Sequence, residues 1–462
     1  MVNNFIETKI CIIGGGPAGL FAALKLKEHD INKFILLEKG KNVNERTCPR
    51  EKAGVCVHCK PCNITSGIGG AGTNSDGKIT LTPEFGGNLN QYYSNNELER
   101  YIKIVDNMFV EFGAPENSLF EPDEQLKDDL IKKGNIHGIR IVPASYRHLG
   151  TDGSKTVISN MYEVIKDHVM TGKNVIDIEV DNFKYLIKTE DGTAIIADKL
   201  IIGTGREGSS QLTKCLAKIG VQAKSLAVDL GVRVETSASI LKDLTDNFYE
   251  VKCIYNTPTY DDKVRTFCMC PHGEVTTEYN ETEGILTVNG HSNRYIKTEN
   301  TNFALLVSKN FTEPFKDPNG YASHIARLAN LLSDGGVLIQ RLGDLRNGRR
   351  STEARIERGL VKPTLKASPG DLSLVLPHRH LVSILETLEA LNNVFPGINN
   401  GDTLLYGVEI KLYSNKYEVN KNMKVKDFRN LYIVGDGSGT TRSICQAAIS
   451  GLIAAEDIIN EK

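Results

Sequence analysis

The sequence predicts an α/β protein whose first domain is discontinuous and encloses a second, β-rich one. Two stretches at opposite ends of the chain predict it. Near the N-terminus the run Lys9-Ile10-Cys11-Ile12-Ile13 enters Gly14-Gly15-Gly16-Pro17-Ala18-Gly19, and a second apolar run, Ile35-Leu36-Leu37, ends at Glu38. Near the C-terminus, Asn430-Leu431-Tyr432-Ile433-Val434-Gly435-Asp436 reads as a strand that stops on Gly-Asp. The first stretch is a strand, a tight glycine turn and a helix start, where backbone N–H groups and the positive helix end suit a pyrophosphate. Glu38 falls about 20 residues on, where a carboxylate accepts from ribose hydroxyls. A nucleotide-binding domain built from both ends has to be interrupted. Its parts are expected at residues 1–225 and 406–462, with the insertion at 226–405.

The bulk numbers set the limits. A chain of 462 residues predicts two or three domains. A net charge of −2 and a pI near 6.6 leave no electrostatic footprint for nucleic acid. No apolar run reaches the roughly 18 residues that span a bilayer. The start, Met1-Val2-Asn3-Asn4-Phe5-Ile6-Glu7, lacks the charged and apolar regions of a signal peptide, so a cytoplasmic protein is expected. There, ten cysteines point to metal or redox work rather than structural disulfides.

The elements follow from periodicity and turn residues. Strands are expected at 8–13 and 33–38, with a helix at 18–28 between them. The segment 39–95, rich in Gly, Cys, Asn and Pro, is too long for an idle loop and is read as functional. Helices are expected at 97–112 and 154–170. Strands at 174–180, 183–188, 193–197 and 199–202 form a meander that ends on Gly203-Thr204-Gly205. From about 225 the pattern turns β-rich, with strands at 228–235, 251–255, 264–269, 284–289 and 303–308 and helices at 321–333 and 380–392. A final helix covers 443–460.

The second glycine motif, Gly203-Thr204-Gly205-Arg206-Glu207-Gly208, has three readings: a separate nicotinamide nucleotide domain, a strand-end contact to the first dinucleotide, or a plain turn. The meander before it favours the second, because a nucleotide domain of its own would need a βαβ unit. NAD(P)H is then expected only as a transient donor.

Cys48, Cys56, Cys59 and Cys62 are spaced C-x7-C-x2-C-x2-C. Four thiolates could hold an iron–sulfur cluster of the 4Fe–4S type or a zinc ion, or remain unmetallated. His58 is an alternative ligand. A second pair, Cys268 and Cys270, lies in Cys268-Met269-Cys270-Pro271-His272 at a strand end, where alternating cysteines can also be simple strand residues. Cys270, His272 and Tyr260 are the catalytic candidates, with His272 or Tyr260 handling a proton. His291 and Arg294 are weaker ones.

The paired end motifs resemble the glutathione-reductase-like, Rossmann-type FAD-binding fold. A loop with five glycines in 13 residues, Ser66-Gly67-Ile68-Gly69-Gly70-Ala71-Gly72-Thr73-Asn74-Ser75-Asp76-Gly77-Lys78, sharpens the resemblance. It is similar to the Gly-Gly-Ala-Gly-Thr-Phe-Ser-Asp-Gly-Lys signature of a family of FAD-dependent dehydrogenases. The resemblance returns at Asp229–Glu235, Thr266–Pro271 and Val288–Gly290. Asn74 stands where that family has Phe. Gly435-Asp436-Gly437-Ser438-Gly439-Thr440-Thr441-Arg442-Ser443-Ile444 replaces a Gly-Glu-Gly-Ala-Gly-Tyr-Ala-Gly-Gly-Ile type of segment and adds a cation, Arg442.

The resemblance implies that Gly14, Gly16, Pro17, Ala18 and Gly19 hold the FAD pyrophosphate and that Glu38, with Lys39 and Arg46 nearby, holds the ribose. It places Gly69, Gly70, Ala71 and Gly72 against the flavin ring. Val180 falls on the adenine, and Gly203, Thr204 and Gly205 at a strand end beside the cofactor. Gly435 and Asp436 meet the ribityl chain, and the helix start at Ser443 and Ile444 faces the ring's N1–C2=O edge. The function implied is an FAD-dependent oxidoreductase of a small organic, anionic substrate. The alternatives are a flavin and iron–sulfur electron-transfer protein with a redox partner protein, and, from a faint likeness of Cys62–Gly70 to the loop of flavin-dependent tRNA-modifying enzymes, an RNA-modifying enzyme.

Overall fold

The computed structural model describes residues 5–49, 57, 59–74, 77–280, 283–292, 297–312 and 314–461. These fall into two compact units. The first comprises residues 1–119, 146–226 and 413–462, the second residues 120–145 and 227–412. Among the described residues no helix is long and apolar enough to cross a membrane.

The first unit is built on a mixed sheet. Strand β1 (Phe5–Ile13) leads into helix α1 (Pro17–Glu28) and strand β2 (Phe34–Glu38). Strands β3 (Val169–Thr171), β4 (Val175–Asp181), β5 (Lys184–Thr189), β6 (Ala194–Ile202) and β7 (Leu431–Ile433) complete it, and helix α2 (Ile444–Asn460) closes the unit. The order is β3-β2-β1-β6-β5-β4, with β7 pairing β6. β1 runs parallel to both β2 and β6, and β7 runs parallel to β6, so these strands end together at Ile13, Glu38, Ile202 and Ile433. β4, β5 and β6 form the antiparallel meander.

Helices α1 and α2 pack closely. A side chain at Gly451 would overlap the carbonyl oxygen of Ala18. Small residues let the two backbones meet over a core of fully buried Ile12, Leu20, Phe21 and Ile433.

Two expectations need correction. Residues 154–170 do not form one helix: it runs from Gly150 to Ile165, and Val169–Thr171 is strand β3 beside β2. Residues 193–202 form one continuous strand, because its side chains pack on both faces of the sheet.

The second unit centres on an eight-stranded sheet. Its middle strand, Val228–Ser237, pairs antiparallel with Asn300–Lys309 and Leu404–Lys411. Helices Pro318–Leu332 and His378–Val394 bury their apolar faces in its core. The chain enters this unit earlier than the expected 226. Helix Glu124–Ile136 and strand Ile139–Pro143 belong here, since the strand pairs with Val251–Asn256. The unit also runs on to Leu412, because Leu404–Lys411 is one of its inner strands.

In Val228–Ser237 one face carries Asp229, Gly231, Arg233 and Glu235. All four positions are buried. Asp229 accepts from Ser308 Oγ at 2.5 Å and pairs with Arg265. Arg233 donates to Asn302 Oδ1 at 2.7 Å and faces Glu409 at 3.5 Å. Glu235 accepts from Thr364 Oγ1 and Tyr406 OH, each at 2.5 Å. Each of the three charged side chains has its partner on a neighbouring element.

His380, in the first turn of helix His378–Val394, is 3% exposed, and neither ring nitrogen has a partner. Burial pushes its pKa down to about 4; Lys309 and Arg379 push the same way, and Asp262 opposes them. The folded chain thus holds this ring neutral at a pH where the unfolded chain, with a His pKa of about 6.5, takes up a proton. Stability is therefore full above about pH 6.5 and falls by about 3 kcal/mol as the pH drops to about 4. His380→Leu loses no hydrogen bond and should remove this part of the slope. Urea midpoints measured from pH 7.5 to 4.5 check it, and parallel wild-type and variant profiles would contradict it.

Candidate functional site

The first unit gathers its special backbone at the ends of the parallel strands. After Ile13 the chain turns at Gly14 with φ +104°, a conformation that a side chain would strain. A Cβ there would also overlap the carbonyl oxygen of Gly203. Gly14 N donates to Leu37 O at 2.8 Å and Gly203 N to Ile13 O at 2.7 Å, so the ends of β1, β2 and β6 are tied together. A Cβ on Gly19 would overlap Gly14 O, which explains glycine there as a helix–strand packing requirement. Helix α1 starts with Pro17, has no side-chain cap and carries no acid in its first turn. Its N-terminal amides have no competing carboxylate of the helix's own, an arrangement that suits an anion.

Glu38 is 6% exposed and serves a larger purpose than a ribose contact. Its Oε2 accepts from Gly15 N at 2.7 Å, and its Oε1 accepts from Gly40 N at 2.8 Å and Gly67 N at 2.9 Å. One carboxylate thus joins the first turn, the exit from β2 and the start of the glycine loop. Of its roughly four acceptor positions, three are taken.

Arg46 is corrected from cofactor contact to loop clamp. Its Nε donates to Asn63 O at 3.0 Å, Nη1 to Ile68 O and Nη2 to Ile64 O, both at 2.7 Å. Burial lowers its pKa to about 10, against the pull of Glu38 and Cys62. Lys39 has no side-chain partner among the described residues.

The glycine loop docks on the first turn. Gly69 N donates to Gly15 O at 2.8 Å, and a Cβ on Gly70 would lie 3.2 Å from Gly16 Cα. Gly72 lies against Ile444, with 3.0 Å from a built Cβ to Ile444 Cδ1, while Ala71 is exposed. Ser75 and Asp76 of the signature lie outside the described residues.

The C-terminal strand arrives at the same end. Gly435, with φ +67°, donates its N–H to Ser450 Oγ at 2.8 Å, and a Cβ there would lie 3.0 Å from Ala18 Cβ. Asp436 accepts from Thr441 Oγ1 at 3.0 Å and has Arg206 Nε at 3.5 Å. Burial raises its pKa, with Arg206 and Thr441 opposing the rise. A Cβ on Gly437 would lie 3.4 Å from Gly205 N and from Thr204 Oγ1, so the second glycine motif belongs to this strand-end cluster. Ser443 caps α2 by accepting from Gln446 N at 3.2 Å.

Val180 does not join them. It is 43% exposed on β4, the outer strand of the meander, paired with Tyr185, which pairs in turn with Ala197 in the middle of β6. The strand beside β2 is β3, whose register sets Met170 against Leu37 and Thr171 against Glu38. Sequence reasoning missed these two residues because it had merged β3 into a helix.

Of the cysteine cluster, Cys48, Cys59 and Cys62 are described, and Cys56 and His58 lie outside the described residues. No described cysteine is in a disulfide, and among the described residues no three His, Cys, Asp or Glu are placed to hold a metal ion.

The catalytic candidates all lie in the second unit. Cys270 is buried, and its Sγ accepts from Arg233 Nη2 at 3.2 Å, the same nitrogen that donates to Cys268 O at 2.7 Å. A bulge between Phe267 and Cys270 puts Cys268 at φ +47°. His272 has its Nδ1 2.9 Å from Thr298 O. Tyr260 lies under Arg379, 5.0 Å from the ring centroid. His291 ends a hairpin strand, and Arg294 lies outside the described residues. The residue missed here is Arg233, the fully buried hub; its signal was a charge in the middle of a strand of core residues.

Comparison with known proteins adds the following. A family model described as "FAD-dependent protein, C-terminal domain-like" matches residues 229–412, nearly the whole 227–412 part of the second unit. An uncharacterized protein of Clostridium beijerinckii is 27% identical over 99% of this chain and 81% of its own length. A 34-residue stretch is 59% identical to a Baeyer-Villiger monooxygenase of Penicillium patulum, covering 7% of this chain and 6% of that one. Among solved structures, a 2,6-dihydroxypyridine-3-hydroxylase from Arthrobacter nicotinovorans aligns with a TM-score of 0.40 at 13% identity, over 99% of this chain and 83% of that one. A glycine oxidase from Geobacillus kaustophilus aligns with 0.39 at 12%, over 99% and 95%. The family match supports an FAD-dependent protein.

Proposed function

We propose that this chain is an FAD-dependent oxidoreductase acting on a small organic anion. The observation that carries the reading is the meeting of three glycine segments and one half-buried acid, Asp436, at the shared end of β1, β2, β6 and β7. The backbone itself fits the group. Gly14 and Gly19 are positions where a Cβ would overlap main chain, whereas the nearest atom to a Cβ on Gly16 is 3.9 Å away, which leaves room before the helix start. On this reading Gly14–Gly19 hold the pyrophosphate, Asp436 takes ribityl hydroxyls, and Gly69, Gly70 and Gly72 border the ring. Bound FAD would supply hydride and single-electron chemistry.

The protein's own part is positioning and proton handling. Glu38 keeps the first turn and the glycine loop in one arrangement. Within the second unit His272 is the candidate for proton handling: the Thr298 carbonyl orients its Nδ1, which leaves Nε2 as the exchangeable position. NAD(P)H, where it serves as donor, would bind transiently. The second glycine motif lies in the same sheet as the first, after a meander, and supplies no nucleotide domain of its own. The electron-transfer reading draws no support from the described cysteines, and anaerobic iron and acid-labile sulfide analysis is the measurement that would revive it.

Two outcomes are expected. The purified protein should carry FAD, or take it up on reconstitution, at about one per chain. Asp436→Asn, which keeps the bond to Thr441, should lower flavin retention, read as flavin absorbance per chain after gel filtration. Protein that never takes up FAD would overturn the function.

Glu38→Gln should do more. An amide nitrogen cannot accept from an N–H, so at least one of the Gly15, Gly40 and Gly67 amides loses its partner. The FAD-free protein should lose about 1–3 kcal/mol of stability. Denaturant midpoints of the FAD-free wild type and variant decide it; equal midpoints would return Glu38 to a pure ribose contact.

A further inference from the structure

We propose that Arg442 is the anion-receiving group of the first unit's site. It would take a planar oxyanion, supplied either by a substrate carboxylate or by the N1–C2=O edge of the reduced flavin. The second source rests on the FAD reading above; the first does not.

Arg442 is an unusual cation. Its guanidinium carbon lies 3.8 Å from the ring centroid of Tyr413, which is itself 7% exposed. At that distance the cation is attracted to the face of the ring, which helps fix its position. Among the described residues the side chain makes no ion pair and no hydrogen bond, and its Nε is buried without an acceptor. Arg206 pairs with Asp436 at 3.5 Å, and Arg442 acts on the same carboxylate from farther off, without an ion pair. A buried guanidinium N–H with no acceptor is costly, and a ring face returns only part of that cost.

The surroundings point the same way independently. Thr440 Oγ1, Gln446 Oε1 and Ser414 Oγ are buried side-chain atoms with no partner, on residues that are 0%, 2% and 3% exposed. They belong to one patch. Arg442 N donates to Gly86 O at 2.8 Å and Asn88 N to Thr440 O at 2.7 Å, and Gln446 Oε1 abuts Gly87. Native proteins leave few such atoms, and a cluster of them marks a place for a bound polar group. The patch opens the 17-residue helix α2, whose first turn carries no acid, so the helix end adds positive potential. Ile444, two residues on from Arg442, packs on Gly72 of the glycine loop. A cation held over an aromatic ring, neutral polar groups beside it and a helix N-terminus together match a carboxylate-like anion, which a guanidinium can hold at two points.

The test uses the full chain loaded with FAD. Acetate is titrated and followed by the flavin difference spectrum, and the two-electron potential is measured in wild type, Arg442→Gln and Arg442→Lys. If the source is a substrate carboxylate, acetate should bind wild type, and Arg442→Gln should weaken it by about tenfold or more, with Arg442→Lys between. If the source is the flavin, Arg442→Gln should shift the potential to more negative values while acetate perturbs neither protein. Wild-type protein that holds FAD yet shows no acetate response, with a potential unmoved by Arg442→Gln, would overturn the proposal. If the wild type takes up no FAD, the proposed function fails instead, and calorimetry of acetate on the FAD-free protein decides the carboxylate source. If Arg442→Gln does not fold, Arg442→Lys carries the comparison: it keeps the charge and loses the two-point geometry, so unchanged acetate binding and potential would count against the proposal.

Discussion

The Glu38 carboxylate is the constraint on which the first unit's site depends. A buried charge is tolerable only when fully hydrogen-bonded, and here three backbone amides supply the bonds. Those amides belong to Gly15, Gly40 and Gly67, on segments separated by up to 52 positions along the chain. Each is a glycine because the approach leaves no room for side chains: a Cβ on Gly15 would lie 2.7 Å from Ile68 Cδ1, and one on Gly40 would overlap Gly67 N. Arg46 completes the arrangement by collecting three carbonyls of the following loop. The result is a rigid irregular loop, which a flat ligand needs more than it needs any single side-chain contact.

The second unit solves a related problem with side chains. Strand Val228–Ser237 buries Asp229, Arg233 and Glu235 on one face, and every partner comes from another element: Arg265 and Ser308, Asn302 and Glu409, Thr364 and Tyr406. Such a network adds little net stability but penalises any other pairing of the strands, since a shift of one residue would strand three charges. Gly290 fits the same logic, because a side chain there would overlap the Arg233 guanidinium.

The legible parts of the fold were those with local signatures. The glycine turn after β1, the meander ending on Gly203 and the strand ending on Gly-Asp each carry their cause within a dozen residues. Helix Asn95–Glu111 likewise announces itself through the capping box of Ser94 and Glu97. What failed was non-local. Val169-Met170-Thr171 continues the helical spacing of Met161 and Ile165, and only pairing with β2 makes it a strand. Val180, expected at the adenine, lies on the outer strand of the meander instead of beside β2. The burial of Asp229, Arg233 and Glu235 is non-local in the same way, because it is decided by partners more than 30 positions away. Arg46 and Arg442 show the same limit, since a lone arginine in a loop does not reveal whether it will grip carbonyls or stand unpaired.

Polar dissatisfaction in the first unit is not spread evenly, and its distribution bears on function. Thr65 Oγ1, Ser66 Oγ, Ser154 Oγ, Thr204 Oγ1, Ser414 Oγ, Thr440 Oγ1, Arg442 Nε and Gln446 Oε1 are buried without partners. Thr65 and Ser66 open the glycine loop, Ser154 Oγ abuts Gly77 at its end, and Thr204 sits in the second glycine motif. The other four surround the start of α2. Inner strands β1 and β6 and helix α1 hold almost no Ser, Thr, Asn or Gln and offer few such atoms, so the set gathers where the polar side chains are. Each such atom costs about 1–3 kcal/mol unless a partner reaches it. A cluster of them at one rim is a place where a bound polar group would be satisfied. The anchoring by Glu38 and the openness around Arg442 are then two sides of one design: backbone held rigid by a carboxylate, and side chains held ready for a guest.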